Sequence, residues 1–173
     1  MIETERLILR VPKLEDLDRW AEFMADPVAT RYLGGVQPRN MAWRSLMTAV
    51  GAWTLTGVSA FSVIERSGRW VGRVGPWQPD GWPGTEVGWG LHPDSQGKGY
   101  AIEAASAAMD YAFNVLGWQD VIHCIDPNNA PSQALASKLG STLRGPTQMP
   151  APYDQEPCEI WGQTAAQWRQ RAL

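Results

Sequence analysis

Along residues 5–11 successive side chains fall on alternate sides, Leu7, Leu9 and Val11 on one and Arg6, Ile8 and Arg10 on the other, which is the two-residue period of a strand. Pro12 ends it. Leu14, Leu17, Ala21 and Met24 then recur at three- and four-residue steps as far as Asp26-Pro27, predicting an amphipathic helix stopped by its proline. A second helix is expected over residues 41–53. Beyond Ser59 the pattern turns to β. Residues 61–65 and 70–74 flank a Ser67-Gly68 turn and predict a hairpin, residues 75–84 form a loop rich in Pro, Gly and Trp, and residues 85–91 return to a strand.

After a loop at residues 92–97, Ile102, Ala105, Met109, Ala112 and Leu116 mark one apolar stripe of a helix over residues 99–115. Residues 121–125 form a short apolar strand. Asn129 is placed to cap a helix that opens with Ala130-Pro131-Ser132 and stops at Gly140. Residues 142–144 and 157–164 are expected as closing strands on either side of a Pro-rich loop, with a short helix over residues 164–171. No linker interrupts the series, so a single α/β domain with a mixed sheet, covering residues 1–173, is the economical reading.

Composition narrows the function classes. The chain has 173 residues, net charge −3 and no basic stripe, which argues against a nucleic-acid partner. No apolar run reaches the roughly 18 residues of a membrane span, and the start lacks the cationic-then-apolar order of a signal peptide, so a cytoplasmic protein without a membrane role is expected. Cys124 and Cys158 stand far apart, which indicates two buried thiols, not a zinc site or a disulfide framework. His92 and His123 are too few and too separated to suggest a metal centre. Of ten tryptophans, Trp43, Trp53, Trp70, Trp77, Trp82 and Trp89 crowd one stretch, where packing in the core and at its rim is expected.

The segment Gln96-Gly97-Lys98-Gly99-Tyr100-Ala101 joins a strand to a helix. The first amides of a helix have no intrahelical partner, and two glycines let a phosphate approach them without a Cβ in the way. A tight turn alone would use the same residues. A P-loop is excluded because Lys98 precedes a glycine and position 92 is His92, and a dinucleotide fingerprint fails because position 102 is Ile102.

Gln96, Gly99 and Ala101 do match the pattern Gln/Arg-x-x-Gly-x-Gly/Ala. With the opening Thr4-Glu5-Arg6-Leu7-Ile8-Leu9-Arg10, the Glu86-Val87-Gly88-Trp89 strand, and Asn129 followed by Ser132, the whole chain resembles the GNAT acetyltransferase family. The branch it resembles contains the ribosomal-protein N-terminal acetyltransferases. The resemblance implies a central, mostly antiparallel sheet splayed at the coenzyme site and flanked by helices. It implies acetyl-coenzyme A as donor, with no metal, and an enzyme that transfers acetyl to a primary amine by direct attack.

On that resemblance an amide at Leu91 or His92 faces the thioester carbonyl, and the amides of Gln96, Gly97, Lys98, Gly99, Tyr100 and Ala101 hold the pyrophosphate. Glu86 is the general base, Ser132 the proton donor to the leaving thiolate, and Asn129 orients the coenzyme or the loop. Each has a plainer alternative: Glu86 as a surface strand carboxylate, Ser132 as a capping residue. The chain departs from the family in having no tyrosine over residues 132–139 and in placing Ser141 where relatives have an aromatic residue. The acceptor site is expected from residues 26–53 and 145–157, with Tyr32, Trp89 and Tyr153 as substrate contacts and Trp77, Trp82, Asp154 and Glu156 nearby. The acceptor is a protein N-terminal α-amine or a small-molecule amine. A non-catalytic acetyl-coenzyme A sensor and a tryptophan-rich interaction module stay open as other classes. If the chain assembles, a homodimer is the commonest form.

Overall fold

The computed structural model describes residues 1–171. In chain order the elements are β1 (Ile2–Glu3), β2 (Leu7–Arg10), α1 (Leu17–Ala25), α2 (Arg39–Thr56), β3 (Phe61–Glu65), β4 (Trp70–Trp77), β5 (Glu86–Leu91), α3 (Tyr100–Asn114), β6 (Asp120–Ile125), α4 (Ala130–Lys138), β7 (Thr142–Thr147), β8 (Cys158–Thr164) and α5 (Ala165–Arg171). The strands make one sheet ordered β1-β2-β3-β4-β5-β6-β8-β7. Every neighbouring pair is antiparallel except β5 and β6, which are parallel and joined through α3. The expected mixed, mostly antiparallel sheet is therefore present.

Helices cover both faces of the sheet. Leu7, Leu9, Val63, Val71, Val74 and Val87 pack under α3, whose inner face is small: Ala104, Ala105, Ala108 and Ala112 let the helix lie close, with Met109 and Phe113 filling the gaps. On the other face Trp20 and Phe23 of α1 and Ala42 and Leu46 of α2 close over Ile64 and Trp70. Burying an aromatic or aliphatic side chain contributes about 1.5–3 kcal/mol, so these two clusters fix which helix sits on which face.

Two details differ from the pattern reading. Residues 14–16 form a 3-10 turn before α1 begins, which shifts the helix phase. Leu14 is consequently exposed, and Trp20 and Phe23 carry the inward face with Ala21. β4 runs on through Gly75 and Pro76 to pair Trp77 with Glu86, where the Pro, Gly and Trp content predicts a loop. Pro76 lies past the last β3 pair, Phe61 with Val74, so no ladder hydrogen bond is asked of its nitrogen. The sheet order, which the pattern does not give, has β8 inserted between β6 and β7, so the last strand of the chain borders β6.

The tryptophan-rich stretch divides between core and cavity. Trp70 is buried and Trp53 packs on Phe61, whereas Trp77, Trp82 and Trp89 line a cavity. Among the described residues no helix is long and apolar enough to cross a membrane, and no group of three His, Cys, Asp or Glu side chains gathers to hold a metal.

Candidate active site

β5 and β6 touch only at one end. Ile122 donates its amide to the Thr85 carbonyl at 2.9 Å, and Glu86 opposite Ile122 is the single registered pair between the two strands. The next carbonyl, that of Val87, accepts from His123 Nδ1 at 2.7 Å, so a side chain replaces the ladder there. Because a carbonyl can only accept, Nδ1 carries the proton and Nε2 faces the Ser141 hydroxyl at 2.9 Å. Burial holds the His123 pKa down at about 4, so the ring is neutral. The small, buried hydroxyl of Ser141, which also accepts from Gln163 Nε2 at 2.9 Å, thus has a structural use at the position where the family resemblance implies an aromatic residue.

Beyond this wedge the strands part and a cavity of about 650 Å3 opens between them, reaching toward the 28–34 loop on one side and α4 on the other. Trp89 bridges the gap. Its ring lies 4.7 Å from that of His123, and its indole N–H donates to Ser132 Oγ on α4 at 3.2 Å. Ser132 Oγ thereby has one of its two lone pairs engaged and, among the described residues, no acceptor for its own proton. Asn129 Oδ1 accepts from the Ser132 amide at 3.3 Å, the helix cap that the sequence predicts.

The register of β4 on β5 decides which β5 amides face the cavity. His92 donates its amide to Val71 at 2.9 Å, across the β4 side. In an antiparallel pair the hydrogen-bonding direction alternates, so the amides of Trp89 and Leu91 point the other way, into the gap. Leu91 confirms this with its carbonyl, which accepts from Gln96 Nε2 at 3.2 Å across the cavity mouth. Of the two expected donors, Leu91 is therefore open and His92 is spent. The His92 ring points elsewhere too, toward Glu22 and Asp94.

The loop at the far end is built for an exposed backbone. Gly97 and Gly99 have φ of +72° and +80°, a region other residues avoid, and a Cβ at Gly97 would meet nothing within 4 Å. Gly99 caps α3, leaving the Tyr100, Ala101 and Ile102 amides at a helix start. A clamp just ahead of β2 holds the loop: Arg6 donates to the Lys98 carbonyl at 2.9 Å, pairs with Glu103 at 2.7 Å and lies over the Tyr100 ring. Tyr100 itself turns away from the cavity, its hydroxyl bonded to Glu65, and Lys98 and Gly99 do not line the cavity either. Any part these three take in ligand binding falls to their backbone.

At the joined end of the strands sits Glu86, only 7% exposed. Its Oε1 accepts from the Cys124 amide at 3.0 Å and its Oε2 from Trp82 Nε1 at 2.5 Å. Burial pushes its pKa up, against the lowering effect of these two donors and of the Arg73 charge. A buried carboxylate of raised proton affinity that is held at two points, beside a cavity, is equipped to accept a proton. It is not the surface carboxylate of the plainer alternative. Cys124 and Cys158 also line the cavity beside it, half-buried, not fully buried, and free; Cys158 and burial push the Cys124 thiol up, so that it stays protonated.

The acetyltransferase (GNAT) domain family matches residues 6–142, from the Arg6 clamp through β5, the glycine loop and α4. The chain belongs to the GNAT acetyltransferase family. It is 30% identical over 146 residues to the uncharacterized N-acetyltransferase p20 of Bacillus licheniformis, an alignment covering 82% of each chain. The crystal structure of an acetyltransferase from Agrobacterium tumefaciens C58 is 29% identical and superposes with a TM-score of 0.81 over 94% of this chain and 92% of that one. The ribosomal-protein-S5-alanine acetyltransferase of Vibrio fischeri shares the fold, with TM-score 0.71 at 18% identity, over 96% of this chain and 97% of that one. The protein is thus an acyl-coenzyme A-dependent N-acetyltransferase, and family membership implies acetyl-coenzyme A as donor and an amine as acceptor.

In this GNAT acetyltransferase the three expected acceptor contacts, Tyr32, Trp89 and Tyr153, all line the cavity, but on different walls. Tyr153 packs edge-on to Trp82 with centroids 6.1 Å apart, and Trp82 packs edge-on to Trp77 at 6.4 Å, so three rings form one wall. Tyr32 lines the cavity from the opposite loop but spends its hydroxyl on the Asn128 carbonyl at 3.0 Å. Trp89 lines the same cavity apart from that wall. Alternation along β5 places it on the face opposite Glu86, against His123 and Ser132. Sequence reasoning also misses Arg73 of β4, which lines the cavity, and the Arg6 clamp, whose signal is the Thr4-Glu5-Arg6 opening.

Proposed function

We propose that the protein transfers acetyl from acetyl-coenzyme A to a primary amine by direct attack in the cavity where β5 leaves β6. One observation carries the reading: the unpaired edge of β5 at Trp89 and Leu91 runs between a buried carboxylate at one end and an amide-rich glycine loop at the other. The pantetheine arm lies along that edge as an added strand would. The loop amides from Gln96 to Ala101 bind the pyrophosphate, which fixes the reach to the thioester and supplies the orientation that the rate requires.

Glu86 takes a proton from the incoming ammonium. The freed nitrogen lone pair forms a bond to the thioester carbon, and the Leu91 amide faces the oxygen on which negative charge collects. As the C–S bond breaks, the electron pair leaves on sulfur; the Ser132 hydroxyl, held by the Trp89 indole, gives that thiolate a proton and regains one from the attacking nitrogen, which sheds its second proton as the amide forms. Asn129 keeps Ser132 at its place through the helix cap. Tyr32, Tyr153 and Trp82 surround the acceptor, whether it is a small amine or the N-terminus of a protein.

The test is release of free coenzyme A thiol from acetyl-coenzyme A with a panel of primary amines and N-terminal peptides, each product weighed by mass spectrometry. Acetylated amine formed in step with thiol supports the reading. Acetyl-coenzyme A that binds and is never consumed makes the protein a sensor instead.

A further inference from the structure

On the α1 side of the sheet, the residues facing one another across β4 and β5 are Arg73 with Gly90, Gly75 with Gly88, and Trp77 with Glu86. The β5 row therefore has no side chain between Glu86 and the end of the strand. A Cβ at Gly90 would strike Phe23 Cζ at 2.8 Å, and one at Gly88 would stand 3.6 Å from Glu86 Oε1. This floor carries a cation toward one end and a carboxylate at the other.

Arg73 is unusual among the charged residues of the molecule. Its Nε is enclosed without a hydrogen-bond partner, and among the described residues its guanidinium forms no ion pair. The group lies 5.9 Å from the ring centroids of both Trp20 and Phe23, which stabilises its charge through their faces while leaving the in-plane N–H groups unused. Glu86 is the acid whose charge it feels, and the two are not bonded. A half-buried guanidinium whose Nε has no partner is poorly solvated, and it cannot shed its proton to escape that. A planar fork of N–H donors at the edge of a cavity is matched by a carboxylate.

Resting on the acetyltransferase reading, we infer that the acceptor is an amine that also carries a carboxylate: Arg73 binds the carboxylate and Glu86 receives the proton of the ammonium. The same chemistry arises in a free amino acid and in an acidic residue near a peptide N-terminus. The aromatic wall of Trp77, Trp82 and Tyr153 admits the apolar body of either.

The experiment compares matched acceptors by thiol release: L-tryptophan with tryptamine, γ-aminobutyrate with propylamine, and a hexapeptide amide bearing Asp with the same peptide bearing Asn as its second residue. In the wild-type protein the carboxylated member of at least one pair is expected to show kcat/KM higher by about tenfold or more, the scale of a hydrogen bond to a charged group. Which pair responds separates a free amino acid from a peptide. In Arg73→Met that ratio falls to near one, and acetyl-coenzyme A affinity by calorimetry stays at the wild-type value. The melting temperature of Arg73→Met is expected to equal or exceed that of wild type, because an unpaired, half-buried charge has been removed; a merely structural arginine would leave the variant less stable. Should that variant fail to fold, Arg73→Lys, which keeps the charge and loses the fork, is expected to retain only part of the ratio. Equal rates within every pair, or a ratio that survives in both variants, overturns the inference while the acetyltransferase reading stands. No turnover of any pair counts against the inference, and if acetyl-coenzyme A also fails to bind, against that reading as well.

Discussion

Glu86 reaches across the seam where β5 meets β6 and accepts the backbone amide of Cys124 at 3.0 Å, so the carboxylate is fastened to both strands at the point where they part. Its second oxygen, held by the Trp82 indole, ties the same group to the aromatic wall. The position of this carboxylate is thereby set by the sheet and not by a loop.

Glu86→Gln keeps the shape but cannot take a proton. Thiol release at neutral pH is expected to fall by about a hundredfold or more, with acetyl-coenzyme A affinity kept. Raising the pH toward the pKa of the amine is expected to recover much of the rate, because the acceptor then arrives already neutral. A variant that stays slow at high pH would instead have lost its fold, which circular dichroism reports.

Ser132→Ala removes the proposed proton donor and the acceptor of the Trp89 indole, but not the cap, since Asn129 holds the Ser132 backbone amide. We expect kcat to fall by about tenfold to a hundredfold with KM for acetyl-coenzyme A unchanged. An unaltered kcat would leave Ser132 with a capping role only.

The Arg6 clamp predicts an effect at a distance from the chemistry. Arg6→Ala frees the Lys98 carbonyl and unpairs Glu103, so the loop loses its support. Acetyl-coenzyme A affinity is expected to drop several-fold, with KM for the amine little changed. Equal loss in both parameters would point to a general loosening of the β2–α3 contact.

His123 makes stability pH-dependent in a defined window. Its pKa is lowered from 6.5 to about 4 by burial, so between these values the unfolded chain binds a proton that the folded protein does not. Stability is full above the unfolded pKa and falls as pH drops toward about 4, by about 3 kcal/mol in total. Glu65, held down at about 2 by its bonds to Arg69 and Tyr100, is lost only at more acid pH. Urea unfolding at about pH 7 and about pH 4 is expected to show this loss in the wild type and a much smaller one in His123→Gln.

Much of the fold and part of the site are legible in the amino-acid sequence. The strand, glycine loop and helix at residues 85–115 announce themselves because local spacing alone sets them, and Asn129 caps α4 for a reason contained in three residues. What depends on pairing stays hidden. That Leu91 and not His92 offers its amide follows from the register of β4, which no periodicity states. The opposite faces of Glu86 and Trp89 follow from β5 starting at Glu86 and running without a bulge, while residue type alone suggests Trp89 as an acceptor wall. Arg73 gives no signal in a hairpin of ordinary composition, because its lack of a partner exists only once α1 has closed over it.

Calorimetric titration of the purified protein with acetyl-coenzyme A, with NAD and ATP as controls for general phosphate affinity, tests most directly the central claim, that the open edge of β5 and the glycine loop form the coenzyme site. Selective, saturable micromolar binding at one site per chain is expected. No heat of binding in a folded sample, or equal binding of all three nucleotides, would contradict it.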